Sequence, residues 1–337
     1  PLLFLDKRGA RKLGSMELDH GATVPLYFLE KHWKVKPKLI HINYGLLSSK
    51  ELAYFGGLLR RSIRLSKKKV VVLASGDLSH RLKKEGSYDY NPQGPLFDAE
   101  VGRIIKEGKL AQFLEMDKDM VEQAGECGLR SLQILAGLLE GQPISSEVLS
   151  YEGPWGVGYM SAYFKMEEEK DKLLLLAKKA LESHIIDKKP LEPGEDYREL
   201  TKEKRACFVS LHKFGKLRGC IGTIEPTKDN LALEIISNAQ SAASEDSRFS
   251  PVKRDEIEDL VIGVDELGPI EACSFEDLDP KNYGVIVKKG YRQGLLLPDL
   301  AGVDTPQEQV AIAREKAMIG PEEKVTYFRF KVTRHGN

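Results

Sequence analysis

The chain is poor in cysteine: four in 337 residues, at positions 127, 207, 220 and 273, with no C-x-x-C pair among them. Those wide spacings exclude a disulfide-stapled scaffold and a zinc ribbon, and a reducing cytoplasm is the expected compartment. Net charge is also absent. Lys+Arg and Asp+Glu both total 51, whereas a dedicated nucleic-acid binder carries a basic excess. The basic clusters Arg60-Arg61 and Lys67-Lys68-Lys69 therefore read as solvated faces. No apolar run approaches the ~20 residues needed to span a bilayer, so no membrane is expected as partner. The start shows no signal-peptide pattern. Residue 1 is Pro rather than Met, and it leads to the expectation that the natural N-terminus is lacking.

What is present is enough apolar residue for two cores. A charge run over residues 165–172, a leucine-rich helical pattern over 173–184 and a Pro/Gly/charge linker over 188–195 divide the chain near residue 167. Residues 1–166 alternate apolar runs with helical stretches, as an α/β layered domain does. Strands are expected over 39–44, 69–74 and 157–164, and helices over 49–65, 97–106 and 124–139. Residues 167–337 read as an α+β domain. Hairpins are expected around Phe214-Gly215-Lys216 and around Gly290, and a helix over 230–243. A strand is expected over 260–267, and another closes the domain over 325–332. Thr305-Pro306-Gln307-Glu308 combines an N-cap, Pro at the first helical position and a capping-box Glu.

Residues 69–74, Lys-Val-Val-Val-Leu-Ala, read as a buried parallel strand running into Ser75-Gly76-Asp77-Leu78-Ser79-His80. Ligands bind beyond the carboxyl ends of such strands, which makes His80 a candidate for proton transfer; the alternative is a surface or packing histidine. His20, in Asp19-His20-Gly21, is its candidate partner. Asp19 could hold that ring and raise its pKa. The alternative is a polar loop beside a helix start. Glu126, in Gly125-Glu126-Cys127-Gly128, is a candidate metal ligand with Cys127 beside it, or a carboxylate favoured by a helix dipole.

Three ordered motifs carry a resemblance: residues 17–26 (Glu-Leu-Asp-His-Gly-Ala-Thr-Val-Pro-Leu), 74–80, and 125–128. Together they resemble the class III extradiol ring-cleavage dioxygenases of the LigB type, whose fold the Memo-like proteins share, over about residues 1–165. The resemblance implies an oxidoreductase that uses iron(II) on a small aromatic, catechol-type substrate. By motif match, His20 and His80 fall on the acid/base positions and Glu126 on the carboxylate ligand, with Cys127 as the Memo-like alternative. The family's two metal-binding histidines lie upstream of the Asp-His-Gly motif. No residue before Pro1 supplies them, and His32 and His41 do not match their context. The expectation is a domain lacking its N-terminal part, with iron bound in the complete parent and weakly or not at all in this chain.

In the second domain, Leu217-Arg218-Gly219-Cys220-Ile221-Gly222 puts two glycines around a cysteine on a strand. Cys220 could be a nucleophile, with Arg218 lowering its pKa and His212 as base. The alternative is a small buried cysteine in a hairpin. This segment, with residues 238–251, 294–300 and 305–320, is similar to the AMMECR-type domain, also called AmmeMemoRadiSam system protein A. The resemblance implies association with a Memo-like protein and a radical SAM partner, and names no reaction. Arg218, Cys220, Asp246 and Arg248 are the candidates for a shared cleft, although Arg248-Phe249 reads equally as a salt bridge and a core plug.

Overall fold

In the first half of the chain, the capping chemistry sets most helix boundaries. Ser48 accepts the Glu51 N–H while the Glu51 carboxylate accepts the Ser48 N–H, a reciprocal box opening α2 (Ser49–Ser66). Asp19 caps α1 (His20–Glu30) by accepting the Ala22 N–H, and Asp117 caps α4 (Lys118–Ala124) by accepting that of Met120. The computed structural model describes residues 2–6, 9–13, 18–86, 88–300 and 302–336. By its internal contacts the chain divides into two units, Pro1–Glu168 and Glu169–Asn337.

Unit 1 is α/β. The strand β1 (Leu2–Asp6) pairs antiparallel with β2 (Gly9–Leu13) and parallel with β3 (His41–Tyr44). The helix α3 (Gln93–Glu107) turns Phe97, Val101 and Ile104 inward, spaced for one helical face. They pack with Phe113, Leu78, and Leu135 and Leu138 of α5 (Leu129–Leu139). A hairpin of β4 (Ile144–Glu152) and β5 (Tyr159–Met166) lies against this core. Two expectations are corrected. Residues 69–74 form no strand: the segment lacks regular structure and is largely exposed, Val71 at 93%. A β-branched run becomes a strand only with a neighbour to complete its hydrogen bonds, and among the described residues no ladder reaches it. The expected helix over 124–139 is two helices. Gly125 adopts a left-handed conformation, φ 64°, that ends α4. Glu126, Cys127 and Gly128 form the link to α5.

Unit 2 is α+β, with two four-stranded antiparallel sheets. One has the order β13 (Val332–His335), β8 (Leu260–Leu267), β6 (Cys207–Lys213), β7 (Lys216–Gly222). The other runs β11 (Arg292–Leu296), β10 (Gly284–Lys289), β12 (Thr326–Phe330), β9 (Glu271–Cys273). The helices α6 (Lys172–Glu182) and α7 (Leu231–Ser244) cover the first sheet, burying Leu176, Leu181 and Ile235 against Val209, Leu211 and Val264. The helix α8 (Pro306–Lys316), opened by the Thr305/Glu308 capping box, covers the second. The closing strand expected over 325–332 is broken at Lys331, where the chain passes from one sheet to the other.

Candidate functional site

The link after α4 and the turn after residue 74 are pressed together. A Cβ on Gly76 would lie 2.4 Å from the Gly128 Cα, so only glycine permits the approach. The contact is then fastened by backbone bonds. The Cys127 N–H donates to the Asp77 carbonyl at 3.3 Å and the His80 N–H to the Ala124 carbonyl at 3.2 Å. The Asp77 N–H donates to the Cys127 Sγ at 3.2 Å.

This clamp gathers Asp77, His80 and Cys127, each offering one metal-ligating atom within 4.8 Å of the others. The Asp77 Oδ2 lies 3.6 Å from the His80 Nε2, an ion-pair separation rather than a hydrogen bond. That Nε2 is buried and has no hydrogen-bond partner. The imidazole stacks on Tyr88, ring centroids 5.1 Å apart at 27°. Although Cys127 is exposed as a residue, partial desolvation of its thiol raises the pKa, and the charges of Asp77 and Glu126 add to the rise. A thiol so placed becomes a thiolate when a cation is present to offset the surrounding negative charge.

The other candidates of unit 1 are placed differently. The Glu126 Oε2 accepts the Leu129 N–H at 2.6 Å, so this carboxylate caps α5. Burial raises its pKa against the bonds from the Leu129 and Gly128 amides. His20 is the first residue of α1 and is exposed. Asp19 is spent on the helix cap, which is the polar helix start that the tripeptide also allowed. The bond from the Ser75 hydroxyl to the Gly21 carbonyl, 2.5 Å, ties this helix end to the turn that carries His80. Asp98, an unremarked helix residue in the sequence, stands behind the turn; its signal was an aspartate on the buried face of an amphipathic helix.

In unit 2, three of the four candidates meet. Arg248 grips Asp246 through Nε at 2.9 Å and Nη2 at 2.7 Å, and the Cys220 N–H donates to the same carboxylate at 2.9 Å. Arg248 holds the Asp246 carboxyl well below the usual range against the cost of burial. Arg218 is turned elsewhere, onto Glu256 and the Ser250 carbonyl. The Cys220 thiol's pKa is raised by burial, which Arg248 only partly offsets. It stands opposite Ser210 in the hairpin, whereas His212 stands opposite Leu217. Cys220 is half-buried in this hairpin.

Residues 6–162 match the family described as the catalytic LigB subunit of aromatic ring-opening dioxygenase, and residues 174–335 match the AMMECR1 family. The chain belongs to these families as a LigB-type domain followed by an AMMECR1 domain. It is 44% identical to Protein CA_C1420 of Clostridium acetobutylicum over 345 aligned positions, covering 95% of this chain and 74% of that one. A protein of Thermotoga maritima is 52% identical over 162 residues, 47% of this chain and 92% of its own. A solved structure, the uncharacterized protein PH0010 of Pyrococcus horikoshii, is 32% identical, covers 48% of this chain and 88% of its own, and superposes with a TM-score of 0.45. Among the described residues no helix is long and apolar enough to cross a membrane.

Proposed function

We propose that the LigB-type domain is a metal-dependent oxidoreductase centre for a small aromatic, catechol-type substrate, with iron(II) as the ion. The observation that carries this reading is the buried, unpartnered His80 Nε2 grouped with Asp77 and Cys127. An orphaned buried nitrogen is costly unless a ligand or proton completes it. The donor set fits a cation: Cys127 and Asp77 would hold it, and iron(II), when bound, would relay electrons from the aromatic substrate, which is the reductant, to dioxygen. Two protein donors hold iron loosely, so the ion is expected to be labile. His80 accepts the proton of a substrate hydroxyl at Nε2, and Asp77 at 3.6 Å stabilises the imidazolium. Tyr88, stacked on the ring, keeps its plane fixed. His20, tied to the same turn through Gly21 and Ser75, is the second acid/base candidate. Glu126 acts on the site through α5, by holding the link that carries Cys127.

A second reading has an observation of its own. One thiol, one imidazole and one carboxylate make a softer set than two imidazoles and a carboxylate. Under it the cluster binds an ion without turnover, and the chain, through its AMMECR1 domain, serves a radical SAM partner. Oxygen uptake with iron(II) and a panel of catechols decides between them. The first reading expects uptake that falls at least about 100-fold in His80→Ala, the span of general acid–base catalysis. No uptake from the complete parent protein overturns it in favour of the second.

A further inference from the structure

We infer that Asp98, reaching from α3, is the positioning residue that fixes the Asp77–His80 turn, with Tyr151 and Gly158 holding its carboxylate in place. This rests on the proposed role of Asp77 and His80 and adds a residue that neither the sequence motifs nor the metal-ligating cluster contains.

Asp98 is 2% exposed. A carboxylate so deep in an apolar helix face must be compensated at both oxygens. The Ser79 N–H donates to its Oδ1 at 2.8 Å, and the Tyr151 hydroxyl donates to its Oδ2 at 2.8 Å. Ser79 lies between the two cluster residues on the turn, so the first bond sets the backbone from which Asp77 and His80 project. The second bond prevents the carboxylate from rotating away. Gly158 makes room: a Cβ there would stand 2.1 Å from the Asp98 Oδ2. Its backbone also clasps the turn, accepting the Leu78 N–H at 2.9 Å and donating to the Ser79 carbonyl at 2.8 Å. The Ser79 hydroxyl completes the fixation by donating to the Ala124 carbonyl at 2.9 Å. The buried charge sits within electrostatic reach of His80. Asp98 thus supports the cluster through the Ser79 amide, as outer-shell carboxylates orient metal-site ligands.

The test uses the full chain, titrated with cobalt(II) as the probe ion, together with hydrogen exchange at Ser79 and His80. Asp98→Ala is expected to weaken cobalt(II) binding about 10- to 100-fold, the usual cost of removing an outer-shell partner, and to speed exchange at both amides. Asp98→Asn keeps an acceptor for the Ser79 N–H and gives a donor to Tyr151, so it is expected to restore both properties to within about threefold, since the bonded geometry is retained. Should Asp98→Ala fail to fold, Gly158→Ala carries the same test, because its methyl displaces the carboxylate without removing it. Wild-type exchange and wild-type affinity in either folded variant overturn the inference. So does Asp98→Asn behaving like Asp98→Ala, since charge and not bonded geometry would then be at work. A wild-type chain that takes up no cobalt(II) defeats the metal reading alone, because the exchange rates need no metal and still decide the role of Asp98.

Discussion

Each unit sets a cysteine beside an aspartate and binds the pair with a backbone amide, yet the two arrangements are of opposite kinds. In unit 2 the Cys220 N–H, Asp246 and Arg248 satisfy one another with short, charge-assisted bonds. In unit 1 the Cys127 Sγ, Asp77 and His80 are gathered within 4.8 Å, but the imidazole nitrogen is left unpartnered. A closed network spends its polar groups on the fold, whereas an open one keeps them for something that arrives from outside. The difference separates a strut from a site more clearly than the residue types do, since both contain Cys, Asp and a cationic or titratable side chain.

The largest effects should come from breaking each arrangement at its aspartate. Asp77→Ala is expected to abolish cobalt(II) binding while leaving the denaturation midpoint nearly unchanged, because Asp77 is half-exposed and carries no helix or sheet. Asp246→Ala should do the reverse, costing about 1–3 kcal/mol in urea denaturation by leaving the Cys220 N–H without its acceptor. Equal stability losses in the two variants would erase the distinction.

Next in size is acid. Glu256 is opposed by burial but held down by Arg218, Lys253 and Lys213, which bring it from 4.5 to about 2. A carboxyl lowered on folding contributes stability that is complete above its unfolded value and is lost as pH falls through the folded one. Glu256 should therefore weaken unit 2 as pH falls from 4.5 towards 2, and Asp246, lowered from 3.8, should weaken it further at the acid end. In unit 1, burial raises Asp98 and Glu126. Such groups favour the folded state more at low pH and lose ground as pH rises through the window between unfolded and folded values. Both tryptophans, Trp33 and Trp155, are in unit 1. Their fluorescence should report an acid midpoint lower than that of amide exchange in unit 2, and the opposite order would refute the assignment.

The smallest expected effect is in thiol chemistry. Cys127 is exposed, while Cys207 is fully buried and pushed up to about 12 by burial. Alkylation followed by mass spectrometry should modify Cys127 first and Cys207 only on unfolding. Protection of Cys127 by cobalt(II), without protection of Cys220, would tie reactivity to the open cluster.

Much of unit 2 was legible because its signals are local. Phe214-Gly215 gave a hairpin, Asn230 capped a helix, and Thr305-Pro306 with Glu308 opened another. Unit 1 was less legible because its decisive contacts are long-range. The helix-dipole reading of Glu126 anticipates a carboxylate at the head of α5, but nothing near it says that Cys127 is gathered with His80. Nothing in residues 69–74 says whether a neighbouring strand reaches them; the apolar pattern states a preference that only a partner can realise. Arg218 and Cys220 share a strand face by parity, but the register shift between Leu211 and His212 lies beside them, and the guanidinium follows Glu256.

The passage of the chain at Lys331 bears on timing. Residues 326–330 pair with β10 and β9 in one sheet and residues 332–335 with β8 in the other, so neither sheet is complete until the segment joining them is available. On the ribosome, α6, α7 and the hairpin of β6 and β7 emerge long before that segment. Their apolar faces wait for a long-range closure, as topologies rich in distant contacts do. The AMMECR1 half should therefore reach its protease-resistant state only after the last strand has cleared the exit tunnel.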